Sequence, residues 1–353
     1  MPAGHGNPMT RHEQGPRGLE RYWSVVRGEA SARHRLLRSV PAGVDLDADD
    51  LELWEAHGKG LGEFRRILAA GENPPIFQGA NLLDLKIELA TRMMRSCEIC
   101  EKRCGANRLA GELGYCRCAE ARISSTFLHM GEEPELVPSY TIFFSGCNAR
   151  CGFCQNWDIS QSPFDGRPFD EDDVGNGIDV MHRRGAKNVN WVGGDPTPHL
   201  LAVLRGLRAT ESNIANVWNS NMYLTRDAMS LLAGTVDLYL TDFKFGPGDC
   251  GQRYSGLERY WEIVGRNHLL AKQDAEIIIR HLALPGNLEC CSRPIFDWVA
   301  ENLGTGTRFN LMFQYRPAAF SDQFPELRRR LSSAEISELL EMAHEAGLDN
   351  LVR

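Results

Sequence analysis

Apolar positions along this chain follow two regimes. Up to about residue 96 they recur at helical spacing. Asp47 is placed to cap a helix in which Trp54, Leu61, Phe64 and Leu68 share one face, and Glu72-Asn73-Pro74-Pro75 breaks that pattern. Asn81 then opens a second helix carrying Leu82, Leu85, Leu89 and Met93 on one side and running into Cys97. These helices are expected to cover a larger domain. From residue 139 the apolar residues gather instead in short β-rich runs: Tyr140 to Phe144, Val189 to Val192, Val217 with Trp218, Leu238 to Phe243, Ile277 to Leu284 and Asn310 to Tyr315. Segments such as 170–184 and 225–233 between them are long enough for crossover helices.

Alternating strands and helices imply parallel strands. Units of about 30 residues match one strand–helix–strand step, and a closed eight-unit barrel needs roughly 250 residues. The expected fold is therefore α/β, a partial (β/α)6 TIM-like barrel with an N-terminal helical and cysteine-rich extension. A doubly wound open sheet is the alternative. Either architecture puts the ligand site at the carboxyl ends of the strands. The expected divisions are a flexible tail over 1–20, a helical extension over 21–96, a cysteine-rich metal module over 97–136, the barrel over 137–317 and a C-terminal helical segment over 318–353.

Composition removes several function classes. Of 353 residues, 47 are Asp or Glu and 39 Lys or Arg, a net charge of −8, which argues against nucleic acid as a partner. No apolar run approaches the roughly 18 residues of a membrane helix, and the first residues hold no signal-like apolar segment. A cytoplasmic location without a membrane partner is expected. There the 11 cysteines point to metal rather than disulfides, and eight of them fall between Cys97 and Cys154.

The sharpest pattern is Cys147-Asn148-Ala149-Arg150-Cys151-Gly152-Phe153-Cys154, directly after the first β-rich run. Three thiolates on one tight loop can converge on a four-iron cluster, which normally takes four cysteines, leaving one iron open. A zinc loop would want a nearby fourth ligand, and no histidine follows before His182. Upstream, Cys97, Cys100, Cys104 and Cys116 suffice for one zinc ion or one iron–sulfur cluster; neither Arg103 nor the surplus Cys118 decides which. An auxiliary cluster is slightly preferred, with a zinc knuckle pinning the N-terminal helices as the alternative. Cys250 reads as a bystander. Cys290 and Cys291 read as packing, because adjacent side chains diverge.

The Cys-x3-Cys-x2-Cys loop resembles the signature of the radical S-adenosylmethionine (SAM) superfamily. The likeness extends along residues 97–350 and is strongest toward relatives of pyruvate formate-lyase-activating enzyme that carry an N-terminal cysteine cluster. Supporting stretches include Ser96-Cys97, Gly111 to Cys116, Phe143 to Cys147, Arg280 to Pro285 and Met312 to Pro317. The resemblance implies that Cys147, Cys151 and Cys154 hold a [4Fe–4S] cluster whose open iron is chelated by SAM. An electron from the cluster then cleaves SAM to a 5′-deoxyadenosyl radical that takes hydrogen from a substrate. It also implies SAM contacts from Phe153, from Gly193-Gly194-Asp195 (where the family usually has Gly-Gly-Glu), from Asn219 and Ser220, and from Asp242 and Lys244. The acid of that last motif helps hold a monovalent cation in the activating-enzyme branch, but Asn219 stands where a second acid belongs. Arg280 and His281 are further candidates, and strand alternation admits only one of them to the barrel. Implied partners are a reducing electron donor such as flavodoxin or ferredoxin and a protein or peptide substrate, a glycyl-radical enzyme among them. A small-molecule substrate stays open, as does a reading from another class, a zinc-binding interaction module.

Overall fold

The computed structural model describes residues 17–352; of the tail expected over 1–20, residues 1–16 lie outside them. The N-terminal helices are α1 (Glu20–Val26), α2 (Arg33–Leu37), α3 (Asp50–Ala70) and α4 (Leu82–Met93). Their starts follow from capping. Asp49, rather than the expected Asp47, caps α3 by accepting from Glu52 N at 3.0 Å. Asn81 and Asp84 form a reciprocal capping box on α4, so the sequence boundary there was sharp. Helices α3 and α4 pack on each other, and α4 covers helices of the main domain.

The sheet begins with β1 (Arg122–His129), which pairs antiparallel with β2 (Ser139–Phe144). After α5 (Trp157–Ser160) and the two-residue edge strand β3 (Arg167–Pro168), the chain alternates. The order is α6 (Glu171–Arg183), β4 (Asn188–Gly193), α7 (Leu200–Ala209), β5 (Ala215–Ser220), α8 (Arg226–Leu232) and β6 (Leu238–Asp242). Then come α9 (Cys250–Ser255), α10 (Tyr260–Asp274), β7 (Glu276–Leu282), α11 (Arg293–Asn302), β8 (Arg308–Met312) and α12 (Ser333–Glu345). Strand order is β3-β1-β2-β4-β5-β6-β7-β8. The run β2, β4, β5, β6, β7, β8 is parallel throughout, giving the six parallel strands of a partial barrel. The last strand starts at Arg308 rather than Asn310.

Alternation assigns the faces. Trp191, Trp218, Tyr239 and Phe309 point outward under the helices, whereas Val217, Leu240 and Ile278 point inward. The lower half of the interior is filled from outside the strands. Leu19, Tyr22 and Val25 of the α1 region, with Leu136 of the β1–β2 loop, meet Ala215, Val217, Leu238, Leu240 and Ile278, all 0–1% exposed. Glu276, at the start of β7, accepts from Arg21 N and Tyr22 N at 2.7 Å each, satisfying donors that a helix start leaves free. Leu19 is therefore core, and ordered chain begins before residue 21.

Candidate cluster and cofactor site

The cysteine loop leaves β2 at the carboxyl end of the sheet and is held by backbone contacts. Arg150 N donates to Ser255 O (2.9 Å) and Gly152 N to Tyr254 O (2.8 Å), both carbonyls on α9. Cys147 is buried; its sulfur accepts from Ala149 N at 3.3 Å and lies 3.9 Å from Asn221 Nδ2. Cys151 and Cys154 are half-buried and open onto a cavity of about 220 Å³. The cavity's remaining lining includes Phe153, Gly193, Gly194, Asp195, Asn219, Asp242, Lys244, Arg280 and Met312. Burial pushes the Cys151 thiol up to about 12 and Cys147 well above its usual value.

The two glycines sit in a cradle formed by the backbone at the end of β2, which no side chain can enter. A Cβ on Gly193, where φ is +122°, would stand 2.2 Å from Phe144 N, and one on Gly194 would stand 2.1 Å from Gly146 O. Asp195 closes the turn: one oxygen accepts from Thr197 N (2.9 Å) and Ser220 Oγ (3.2 Å), the other from Asn221 N (2.8 Å). Burial raises its pKa to about 6. Lys244 Nζ donates to Asp242 Oδ2 at 2.6 Å. Burial works against that ammonium, but Asp242 and Cys151 outweigh it and the Lys244 pKa is raised.

Two expected positions lie elsewhere. Ser220 faces away from the cavity, bonding Asp195, Thr197 Oγ1 (3.2 Å) and Met222 N (3.0 Å), so it positions the turn. His281 is buried behind the sheet, its ring nitrogens on Phe243 O (2.7 Å) and Ser292 Oγ (2.8 Å). Arg280 takes the inward place. Its guanidinium bonds Glu133 twice (2.7 and 2.6 Å), Glu132, and Asn219 Oδ1 (3.3 Å). Sequence reasoning missed both glutamates; three acids, Glu132, Glu133 and Glu135, close together between β1 and β2 were the available signal. Asn219 Nδ2 and Asn190 Oδ1 remain buried without a protein partner, two polar atoms on the inward face.

The upstream cysteines sit beside this loop. Thr225 reaches Glu98 O (2.8 Å), and Cys100 pairs with Leu224. Arg108 reaches Pro198 O (2.6 Å). Cys104 and Cys116 face one another across Gly114: a Cβ there would stand 3.0 and 3.6 Å from their sulfurs. Cys118 points instead at Cys116 O and Ser145 O. A hydrogen bond from the Cys118 thiol to the Cys116 sulfur holds the Cys116 thiol below its usual value. Tyr115 lies between the two cysteine groups, its ring 4.5 Å from Lys102 Nζ and 5.0 Å from the Arg150 guanidinium.

The family pattern described as "Radical SAM superfamily" matches residues 141–287, from within β2 to just past β7. Over 344 residues the chain is 46% identical to uncharacterized protein MJ0674 of Methanocaldococcus jannaschii, across 94% of this chain and 98% of the relative. Residues 141–287 are a radical SAM superfamily domain. A second relative from that organism, uncharacterized protein MJ0808, is 26% identical over 166 residues, 42% of this chain and 49% of its own. Among solved structures, Streptococcus suis SuiB bound to S-adenosylmethionine aligns with a TM-score of 0.44 and 16% identity, over 56% of this chain and 44% of SuiB. SuiB bound to precursor peptide SuiA aligns with a TM-score of 0.44 and 13% identity, over 82% and 59%. The chain thus spans less than two thirds of either SuiB chain. This radical SAM domain is an α/β fold with its cysteine loop at the expected end of the sheet. No described helix is long and apolar enough to cross a membrane.

Proposed function

We propose that the protein is a radical SAM enzyme that cleaves SAM reductively and removes hydrogen from a substrate. The observation that carries this reading is the convergence of Cys151 and Cys154 with Gly193, Gly194, Asp242 and Lys244 on one cavity. When bound, a [4Fe–4S] cluster on Cys147, Cys151 and Cys154 supplies the electron that splits SAM into methionine and a 5′-deoxyadenosyl radical. The chain's own residues do the positioning. The glycine cradle offers close backbone approach, and Lys244 faces the cysteine loop with a charge suited to a carboxylate. The unpartnered Asn219 and Asn190 atoms supply hydrogen bonds on the inward face. Phe153, wedged edge-on between Phe245 (6.0 Å) and Tyr315 (6.3 Å), gives a flat apolar wall to an adenine.

The resemblance to glycyl-radical activating enzymes supports a polypeptide hydrogen donor, with flavodoxin or ferredoxin as reductant. The test is anaerobic reconstitution with dithionite and SAM, followed by chromatography for 5′-deoxyadenosine. Deuterium transfer from a labelled candidate substrate into that product then identifies the donor. Absence of product above a no-enzyme control, with several reductants, overturns the reading.

Lys244→Ala is expected to weaken SAM binding about ten- to a hundredfold with iron content unchanged, the effect of losing one charge-assisted contact. Calorimetry checks it; equal affinity in the variant assigns Lys244 only to Asp242. The upstream thiols are proposed to hold a second metal, which the facing pair Cys104 and Cys116 supports. Changing Cys97 and Cys100 together to serine should then remove that metal and leave the Cys147 cluster assembled. Elemental analysis beside the parent decides it, and unchanged zinc and iron would exclude the site.

A further inference from the structure

Three cysteines read from sequence as a bystander and packing come together in the fold. Cys250 begins α9 after β6, while Cys290 and Cys291 lie in one wide helical turn, Leu288–Ser292, between β7 and α11. Their three sulfurs all lie within 4.8 Å of one another. The Cys250 and Cys290 sulfurs are 3.9 Å apart, and those of Cys290 and Cys291 3.8 Å. The expectation that adjacent side chains diverge fails here because both thiols of this turn converge on Cys250.

A fourth donor faces the same point. Asn287 Oδ1 is 3.7 Å from the Cys250 sulfur and 3.6 Å from that of Cys290. Its orientation is fixed, since Asn287 Nδ2 donates to Pro285 O at 3.0 Å, and the residue is 3% exposed. Four ligands arranged tetrahedrally about one zinc ion, at about 2.3 Å for sulfur and 2.0–2.2 Å for oxygen, stand roughly 3.8 Å apart sulfur to sulfur and 3.6 Å sulfur to oxygen. Thiolates on a four-iron cluster each take a different iron and stand farther apart. Cys250 and Cys291 are buried while Cys290 is exposed, which leaves an ion a route in.

We propose that Cys250, Cys290, Cys291 and Asn287 form a binding site for a soft divalent cation, zinc by chemistry, separate from both other cysteine groups. Binding converts three thiols to thiolates and releases their protons to solvent. The site staples the loop after β6 to the turn after β7. Because α9 also supplies the carbonyls that hold Arg150 N and Gly152 N, an ion there stiffens the seat of the cysteine loop.

The test uses iron-loaded protein prepared anaerobically, with Cys250→Ser and Cys290→Ser variants beside the parent. Cys290 is exposed, so that serine variant keeps its packing, and circular dichroism verifies the fold of both. The parent is expected to hold about one equivalent more zinc than either variant, with equal iron and equal 5′-deoxyadenosine release. Titrated with Cd(II), it should show an increment of thiolate-to-cadmium absorption that both variants lack. Zn(II) should raise the melting temperature of the parent more than that of Cys290→Ser, in which the upstream cysteines are unchanged. Equal zinc in all three proteins with no missing cadmium increment overturns the proposal, as does a Cys250–Cys290 disulfide in metal-free parent. Iron and SAM cleavage are read separately, so failure here is distinguishable from failure of the catalytic reading.

Discussion

Cys151→Ala protein should release 5′-deoxyadenosine only at the no-enzyme level and lose about four irons per chain. Cys151 opens directly onto the cavity with Cys154, while Cys147 is anchored behind it on Ala149 N. Two thiols are too few to retain the cluster. A substitute is not at hand: Cys118 lies against Ser145 and Gly146 before the loop, already bonded to Cys116 O and Ser145 O. Iron assay and product chromatography check the outcome, with Cys290→Ser as the variant expected to keep both. Full iron and full product in Cys151→Ala would place the catalytic cluster elsewhere.

Arg280→Met should lower the unfolding free energy by about 3–5 kcal/mol, because it strands two buried carboxylates. Glu133 is 3% exposed and keeps Asn310 Nδ2 (2.7 Å) and its own backbone N–H once the guanidinium is gone; Glu132 keeps the longer contact from Asn190 (3.4 Å). The pH dependence should invert as well. In the parent, burial opposes ionisation of Glu133, yet Arg280 outweighs it and the pKa is lowered. That stabilisation is present above the ordinary glutamate pKa and is lost as pH falls through the depressed one. Without the arginine, burial raises the pKa, so the variant loses stability as pH rises through the raised value. Its deficit therefore narrows in acid. Denaturant midpoints across pH measure this, and adding Glu133→Gln should recover part of the loss. A midpoint within experimental error of the parent at neutral pH would show that Arg280 carries no structural charge balance.

What could be read beforehand was what local chemistry determines. All six parallel strands were legible because their apolar runs are bounded by turns, and α4 because Asn81 and Asp84 spell out its cap. The cysteine loop was legible because its spacing is local. Residues joined only by topology were hidden. Nothing near Arg280 in sequence names Glu132 and Glu133, which arrive from 148 and 147 residues away through the β1–β2 hairpin. Alternation correctly allowed one of Arg280 and His281 inside but could not fix the phase. Cys250 meets Cys290 across 40 residues, through a wide turn that no composition signal marks.

The packing of the α1 region and Leu136 into the lower barrel closes the amino ends of the strands with side chains from outside the sheet. Room on the inward faces is left toward the carboxyl ends, where the cavity opens beside the cysteine loop. The depth of that cavity is therefore set by segments that belong to no parallel strand. Trimming Tyr22 or Leu136 would deepen it without altering the residues at its mouth.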